Sequence, residues 1–310
     1  MTNPIIEYSA LAAVAAVVRE GSFERAAAAL GVTSSAVSQR IKAIEERVGA
    51  VLVLRTSPCR PTSVGARMCA HFERVQLLER NLIDGMPNLF TVHPACAPTI
   101  RIAVNGDSLS TWFPAAAGEF ARRSGNLLDL VLEGEEQTAQ LLRSGEVLAA
   151  ITADPAAVQG CRITPLGILR YVAVASPAYF TRFFPNGIDA LSLSKAPMLR
   201  TDREDALQAR WAKTVLDSDV SPPTHWVPST QGFVDLLRVG LGWGMVPHIL
   251  GDRYIASGEL QPLEPLRALD VTLYWQYSRL FVHILNDLNK TVIATARTLL
   301  FPPSEERMSE

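Results

Sequence analysis

Five polar side chains in one short segment could read the edges of DNA bases. They belong to the stretch TSSAVSQRIK and are Ser34, Ser35, Ser38, Gln39 and Lys42. A helix here turns them outward and places an apolar stripe on its other face, made of Val37, Ile41, Ile44 and Val48. Hydroxyl, amide and ammonium groups donate to base edges and phosphates in a major groove. The segment therefore predicts a DNA-reading helix or, as the simpler alternative, an amphipathic helix with a solvated face.

A second helix and a tight turn precede this segment. Residues Phe23 to Leu30 contain an alanine run of high helix propensity, and Gly31 gives the backbone freedom to end the helix. Thr33 or Ser34 can cap the helix that follows. Two helices joined in this way predict a helix-turn-helix.

Basic and polar residues after Gly49 predict a small β wing beside that motif. The run VLVLRTSPCRPT begins with apolar residues, and its candidates for contacts to the DNA backbone are Arg55, Arg60 and Thr62. Seven Arg or Lys and five Asp or Glu lie between residues 1 and 62, in a chain of net charge -2. Because this surplus of positive charge is small, specifically positioned contacts and the pairing of two copies would supply the affinity for DNA.

Polar side chains beyond residue 99 could bind a small ligand. The hydroxyls of Ser108 and Thr111 follow a predicted strand and lie near a helix start, where they could hold an anion. The alternative is that Ser108 or Ser110 only caps that helix. Thr230, between Ser229 and Gln231, precedes another predicted helix and is a second candidate.

The sequence gives little support for catalysis, a metal site or a cofactor. The five histidines show no HExxH spacing, and the four cysteines, which we expect to be reduced, form no CxxC pair. The run GLGWG lacks both GxGxxG and a following Lys-Ser or Lys-Thr. We therefore predict no enzyme, no metal and no cofactor.

A long helix is predicted from residue 63 to about residue 89, within a linker of residues 63–98. Its apolar stripe has helical spacing and consists of Met68, Phe72, Val75, Leu78 and Leu82. The stripe predicts pairing with an antiparallel second copy or, alternatively, packing on the chain's own domain. Residues 86–98 contain three prolines and are the predicted hinge.

Short apolar runs alternate with helical ones beyond residue 99, which predicts an α/β architecture for residues 99–310. No run of about 18 uncharged apolar residues occurs, and the amino terminus has no secretory pattern. We therefore expect a soluble, cytoplasmic protein of two or three domains.

The chain resembles the LysR-type transcriptional regulators along almost its whole length. The helix-turn-helix matches the family pattern FxxAAxxLxxxxSAxSxxIxxLE, with isoleucine in place of the usual leucine at Ile44. The matching residues are Phe23, Ala26, Ala27, Leu30, Ser35, Ala36, Ser38, Ile41, Ile44 and Glu45. The segments NGDSLSTWFPA, LRSGEV, FPNG and LYWQ resemble one branch, the regulators of arginine and lysine export called ArgP, IciA or LysG.

This resemblance implies a winged helix-turn-helix over residues 1–62, a dimerising linker helix, and a periplasmic-binding-protein-like effector domain. The effector domain would have two Rossmann-like subdomains, residues 99–167 with 270–301 and residues 168–269. Crossing strands near residues 168–174 and 262–274 would join them. The tail from residue 302 is expected to be disordered.

The implied partners are operator DNA, RNA polymerase, a second or further copy of the chain, and a small effector. Lysine or arginine is favoured, and a carboxylate must then hold its cationic end. The candidates at predicted strand ends are Asp107, Glu135, Asp154 and Asp202. The alternatives are a regulator that answers to an unrelated metabolite and, from another class, a soluble solute-binding protein.

Overall fold

The computed structural model describes residues 6–84, 99–132, 134–217 and 219–302. The chain divides into two compact units, residues 1–101 with 140–148 and residues 102–139 with 149–310. The predicted domain boundaries at residues 62 and 98 stay predictions. The predicted hinge, residues 86–98, lies outside the described residues.

The first unit contains the predicted helix-turn-helix and wing. Its helices are α1 Tyr8–Glu20, α2 Phe23–Leu30 and α3 Ser34–Val48, followed by strands β1 Val53–Leu54 and β2 Arg60–Pro61 and by helix α4 Ser63–Asp84. Thr33 caps α3 by accepting a hydrogen bond from the Ala36 amide at 3.2 Å. β1 and β2 pair antiparallel. The sequence does not predict α1, because its run LAAVAAVV is apolar on every side instead of along one stripe.

The core of this unit is built mainly from α1 and α3. Val14 and Val17 of α1 and Val37 of α3 are completely buried, and Ile41 and Ile44 are nearly so. Six of the eight residues of the α1 run are buried, and Ala12 and Val18 are half-buried, so its lack of helical periodicity fits a helix that exposes little of its surface.

The second unit has the predicted α/β character, with strands and helices alternating along the chain. In order they are β3 Thr99–Val104, α5 Gly106–Ser110, α6 Phe113–Ser124, β4 Leu127–Leu132, α7 Glu135–Ser144, β5 Ala149–Thr152, β6 Cys161–Ala175, α8 Pro177–Phe183, α9 Ala190–Lys195, β7 Met198–Arg200, α10 Leu207–Leu216, β8 Thr224–Trp226, α11 Thr230–Arg238, β9 Gly244–Pro247, α12 His248–Ala256, β10 Gln261–Pro262, β11 Leu269–Ser278, a 3₁₀ turn Arg279–Phe281 and α13 Asn286–Leu299. The first three residues of β3 and the second half of α7 belong to the first unit.

Two long strands connect the two halves of the second unit. β6 and β11 pair antiparallel from Tyr171 opposite Leu269 to Cys161 opposite Ser278. On one side of this pair the sheet continues through β5 and β3 to β4, and on the other side β9 and β10 pair with β6. β6 and β11 correspond to the predicted crossing strands. β6 extends beyond its predicted range at both ends, whereas β11 begins at Leu269 instead of near residue 262 and extends past residue 274 to Ser278.

The end of the described chain returns to the crossing strand β6. Ile168 and Phe301 exchange two backbone hydrogen bonds, of 2.8 and 3.1 Å. The approach is close because Gly167 has φ 149°, and a Cβ there would lie 2.8 Å from the Leu300 Cβ. Residues 303–310, most of the tail expected to be disordered, lie outside the described residues. No helix of the described ranges is both long and apolar enough to cross a membrane.

Candidate nucleic-acid interface and candidate ligand site

The polar residues of α3 lie where the sequence predicts them. Ser35, Gln39 and Lys42 are exposed, while Ser34 and Ser38 are half-buried. The Thr33 and Ser35 hydroxyls lie 2.9 Å apart at the start of the helix, and Lys42 pairs with Glu46 at 3.8 Å. Because both partners of that pair are mostly exposed, a phosphate can compete for the Lys42 ammonium at little cost. The face can therefore donate hydrogen bonds to DNA.

The wing is held against the helix-turn-helix by side chains that the sequence does not single out for this role. The Glu45 carboxylate accepts the amides of Leu52 and Val53, at 2.8 and 3.3 Å. The Arg55 guanidinium lies 5.0 Å from the centre of the Phe23 ring. Glu45 belongs to the family pattern and acts here by anchoring β1.

Arg60 and Thr62 have different environments in the wing. Arg60 is exposed on β2, whereas Thr62 is half-buried at the start of α4. The Thr62 hydroxyl donates to the Val51 carbonyl at 2.8 Å and accepts the Gly65 amide at 3.1 Å. Thr62 therefore caps α4 beneath the wing, and its contact with DNA stays a prediction.

The predicted anion site lies within and directly after α5, and its polar groups are occupied by internal hydrogen bonds. Asn105, and not Ser108 or Ser110, caps the helix by accepting the Ser108 amide at 2.8 Å. Ser108 is fully buried, and its hydroxyl accepts the indole N–H of Trp112 at 3.1 Å. The Thr111 hydroxyl donates to the Asp107 carbonyl at 2.6 Å. The alternative that Ser108 or Ser110 caps a helix was wrong because the chain becomes helical at Gly106, which places both serines inside α5, and α6 begins without a side-chain cap.

Asp107 is the residue that brings three elements of the second unit together. The Tyr171 hydroxyl of β6 donates to Asp107 Oδ2 at 2.7 Å, and the Thr230 hydroxyl of α11 lies 3.5 Å from Asp107 Oδ1. Burial raises the pKa of the Asp107 carboxyl, and the charge of Asp205 raises it further, while the two hydroxyls lower it. The sequence predicts Asp107 and Thr230 as site residues without pairing them, and it misses Tyr171.

The other predicted carboxylates have different surroundings. Asp154 is exposed and accepts the Ala156 amide at 2.8 Å. Asp202 is exposed and accepts the amides of Glu204 and Asp205, both at 2.8 Å. Glu135 begins α7, and its side chain lies outside what the structure describes. Effector contacts by these three residues stay predictions.

The charge of Asp205 raises the pKa of Asp107, although the carboxylate that the sequence offers from this loop is Asp202. The Asp205 carboxylate accepts the Thr201 amide at 3.1 Å, the Leu207 amide at 3.1 Å and the Gln208 side-chain amide at 3.2 Å. Asp202 and Asp205 are three residues apart in one loop. The sequence does not distinguish them, because their roles depend on how the backbone of this loop is folded.

The second predicted anion site is also partly occupied. Ser229 caps α11 by accepting the Gly232 amide at 3.2 Å, and Gln231 contacts Asp235 at 3.3 Å. Thr230 is the hydroxyl of this group that faces the Asp107 carboxylate.

Within the described ranges, no cluster of His, Cys, Asp and Glu could hold a metal ion. The three cysteines in those ranges are Cys59, Cys69 and Cys161, and all are free thiols. Burial raises the pKa of the Cys69 thiol to about 12, so this side chain is an unreactive core residue.

Two protein-family models match the chain. The model for the bacterial regulatory helix-turn-helix protein of the lysR family matches residues 8–66, and the LysR substrate binding domain matches residues 97–283. The chain belongs to the LysR family. It is a DNA-binding transcriptional regulator with an effector-binding domain.

Relatives of this LysR-type regulator carry the names of the predicted branch. The transcriptional regulator ArgP of Pseudomonas aeruginosa is 42% identical over 293 residues, which are 94% of this chain and 96% of ArgP. LysG of Mycobacterium tuberculosis is 40% identical over 299 residues, which are 96% of each chain.

Solved structures of similar proteins cover nearly the whole chain. The crystal structure of ArgP from Mycobacterium tuberculosis is similar with a TM-score of 0.74 and 40% identity, covering 94% of this chain and 98% of that one. Full-length LysG from Corynebacterium glutamicum with bound effector Arg has a TM-score of 0.65 and 35% identity. The match covers 96% of this chain and 100% of LysG.

Proposed function

We propose that this regulator binds operator DNA through α3 and the wing and responds to arginine or lysine bound beside Asp107. The observation that carries the effector assignment is the half-buried Asp107 carboxylate, held by hydroxyls of β6 and α11. A carboxylate in such surroundings can pair with a guanidinium or ammonium group. The bound Arg of the similar LysG supports the same ligand class. A ligand that favours one arrangement of the subdomains would then shift the population of DNA-bound states.

We test the proposal by calorimetric titration of the full chain with a panel of amino acids, followed by DNA mobility-shift assays. Binding of arginine or lysine, with no heat from neutral or acidic amino acids, is the expected result. A response to an unrelated metabolite alone would leave the family assignment intact and would overturn the assignment of arginine or lysine as the effector. We also propose that the protein acts as a regulator without catalysis, in the cytoplasm beside its operator and RNA polymerase.

We expect Gln39→Ala to weaken operator binding about tenfold and Ser38→Ala by a smaller factor. Loss of one good base contact costs about 1–3 kcal/mol, and Gln39 is the more exposed of the two side chains. Fluorescence anisotropy with labelled operator DNA measures both affinities. Gln76→Ala, at an exposed position of α4, is the control. Unchanged affinity in both α3 variants would remove this face from the interface.

We also propose that α4 pairs two copies of the chain. The apolar stripe of α4 has two parts. Met68 and Phe72 pack on the core of their own unit, whereas Leu78 and Leu82 are 48% and 54% exposed. A symmetric pair would cover both leucines on each copy. Two copies, or two pairs, would present several recognition helices to a partly palindromic operator.

The double substitution Leu78→Asp with Leu82→Asp should weaken self-association about 100-fold. Four partly exposed leucines per pair at roughly 0.8 kcal/mol each correspond to about two decades in affinity. Sedimentation velocity measures the change. Gln76→Asp, which adds the same charge at another exposed position of α4, should leave association intact, and equal effects of both changes would refute pairing through the leucines.

A further inference from the structure

Two guanidinium groups stack on one exposed tryptophan in the second unit. Arg200 ends β7 and Trp226 ends β8, and the two residues are opposite each other in this parallel pair. The guanidinium carbons of Arg200 and Arg203 lie 5.2 and 5.0 Å from the centre of the Trp226 ring. Trp226 is 43% exposed, whereas the other four tryptophans are completely buried. Solvent therefore reaches a ring on which two positive charges are stacked.

The described part of the chain does not neutralise these two charges. Neither guanidinium forms an ion pair with a carboxylate of the described ranges. The Arg200 Nη2 donates to the Arg203 carbonyl at 3.1 Å, and the Arg200 Nε is buried without a hydrogen-bond partner among those residues. Two adjacent cations repel each other, and a buried donor without an acceptor costs free energy. An anion bound beside the two guanidinium groups would relieve both costs.

The surroundings favour a carboxylate as that anion. A guanidinium binds a carboxylate through two parallel hydrogen bonds, and the exposed indole offers an apolar surface to the body of a ligand. The loop that contains Arg203 also contains Asp202, Glu204 and Asp205. These three negative charges oppose a doubly charged phosphate more strongly than a singly charged carboxylate. The group therefore suits a ligand with a single carboxylate.

The segments that leave β7 and β8 lead towards the Asp107 carboxylate. In α/β folds, ligands bind beyond the carboxyl ends of parallel strands. Thr230, in the segment after β8, lies 3.5 Å from Asp107 Oδ1. The charge of Asp205, in the segment after β7, raises the pKa of Asp107. The two guanidinium groups and Asp107 therefore belong to the same end of this part of the fold.

We propose that Arg200 and Arg203, stacked on Trp226, bind the α-carboxylate of the amino acid whose cationic side chain pairs with Asp107. This inference rests on the proposed function, because it requires an amino acid as the effector. Groups of opposite charge then hold the two ends of one ligand. The arrangement selects an amino acid over an amine that carries the same cation without a carboxylate.

Calorimetric titration of the full chain with arginine and with agmatine, which is arginine without its carboxylate, tests the proposal. We expect the protein to bind arginine at least about tenfold more tightly, since agmatine cannot make the hydrogen bonds between the carboxylate and the guanidinium groups. Arg203→Gln should weaken arginine binding about tenfold and leave agmatine binding no weaker. Arg253→Gln is the matched control, because Arg253 is also exposed and lies 4.5 Å from the centre of the Tyr254 ring.

Different outcomes overturn this inference and the proposed function. Equal losses for arginine and agmatine in Arg203→Gln would show that Arg203 has only a structural role. An unchanged preference in that variant, or no preference in the unaltered protein, would place the α-carboxylate elsewhere. Absence of arginine and lysine binding would instead overturn the proposed function, and the inference with it.

The fluorescence of Trp226 supplies a second readout that needs no substitution of either arginine. Iodide quenches tryptophans that solvent reaches, and Trp226 is the exposed one of the five. Trp226→Phe should therefore remove most of the quenching. Saturating arginine should protect Trp226 from iodide in the unaltered protein, whereas saturating agmatine should not. Arginine binding that leaves the quenching unchanged would overturn the inference.

Discussion

Asp107→Asn should lower the affinity for arginine at least about 30-fold near neutral pH while operator binding by the unliganded protein is retained. Removing one partner of a buried charge pair costs about 2–5 kcal/mol, whereas asparagine has nearly the same shape and still accepts from the Tyr171 hydroxyl. Calorimetry with arginine measures the loss, and anisotropy with operator DNA measures the retained activity.

Two carboxylates provide the comparison for this variant. Asp219→Asn, an exposed partner of Lys213 at 3.5 Å, should leave arginine binding unchanged. Asp202→Asn tests the carboxylate that the sequence favours equally, and a larger loss there than at Asp107 would move the cation site into the loop before α10.

Gly65→Ala should destabilise the first unit by about 3 kcal/mol and abolish operator binding. A Cβ on Gly65 would overlap the Leu52 carbonyl oxygen and lie 2.9 Å from the Leu52 carbonyl carbon. Because the obstacle is backbone at the base of the wing, α4 or β1 must move, and overpacking of this kind costs about 1–3 kcal/mol or more. The result would be notable because alanine normally stabilises a helix relative to glycine.

Tryptophan fluorescence and circular dichroism together test the Gly65→Ala prediction. All five tryptophans lie between residues 112 and 275, in the second unit. Urea unfolding followed by circular dichroism should therefore show an earlier transition in Gly65→Ala, while the tryptophan fluorescence transition stays in place. Gly49→Ala is the control, since nothing lies within 4 Å of its Cβ position and its φ of 71° costs about 1–2 kcal/mol. Equal shifts in both variants would contradict the packing explanation.

The helix-turn-helix could be predicted because its signals are local. Gly31 ends α2 and Thr33 caps α3, and each acts within a few residues of itself. The short strand β8, Thr224–Trp226, could not be predicted, because its three residues form a strand only by pairing with β7. Signals that depend on a distant partner leave no periodicity in the sequence.

The candidate ligand site also shows the difference between local signals and those that depend on a distant partner. The sequence identifies Asp107 and Thr230, since each stands beside a predicted helix start, yet they are separated by 123 positions along the chain. Tyr171 lies in an apolar strand, and nothing near it in the sequence distinguishes it from a core residue. Its role exists only because β6 passes beside α5.

By itself, the sequence determined the family, the α/β class, the DNA-reading helix and the types of side chain available to bind an effector. These follow from local propensity, hydrophobic period and motif spacing, which the linear chain contains. Only the tertiary structure decided that the hydroxyls of Tyr171 and Thr230 meet at the Asp107 carboxylate, and that the charge of Asp205 instead of Asp202 raises the pKa of Asp107. These outcomes depend on which groups meet across long sequence separations, where burial and hydrogen bonding assign each polar atom its partner.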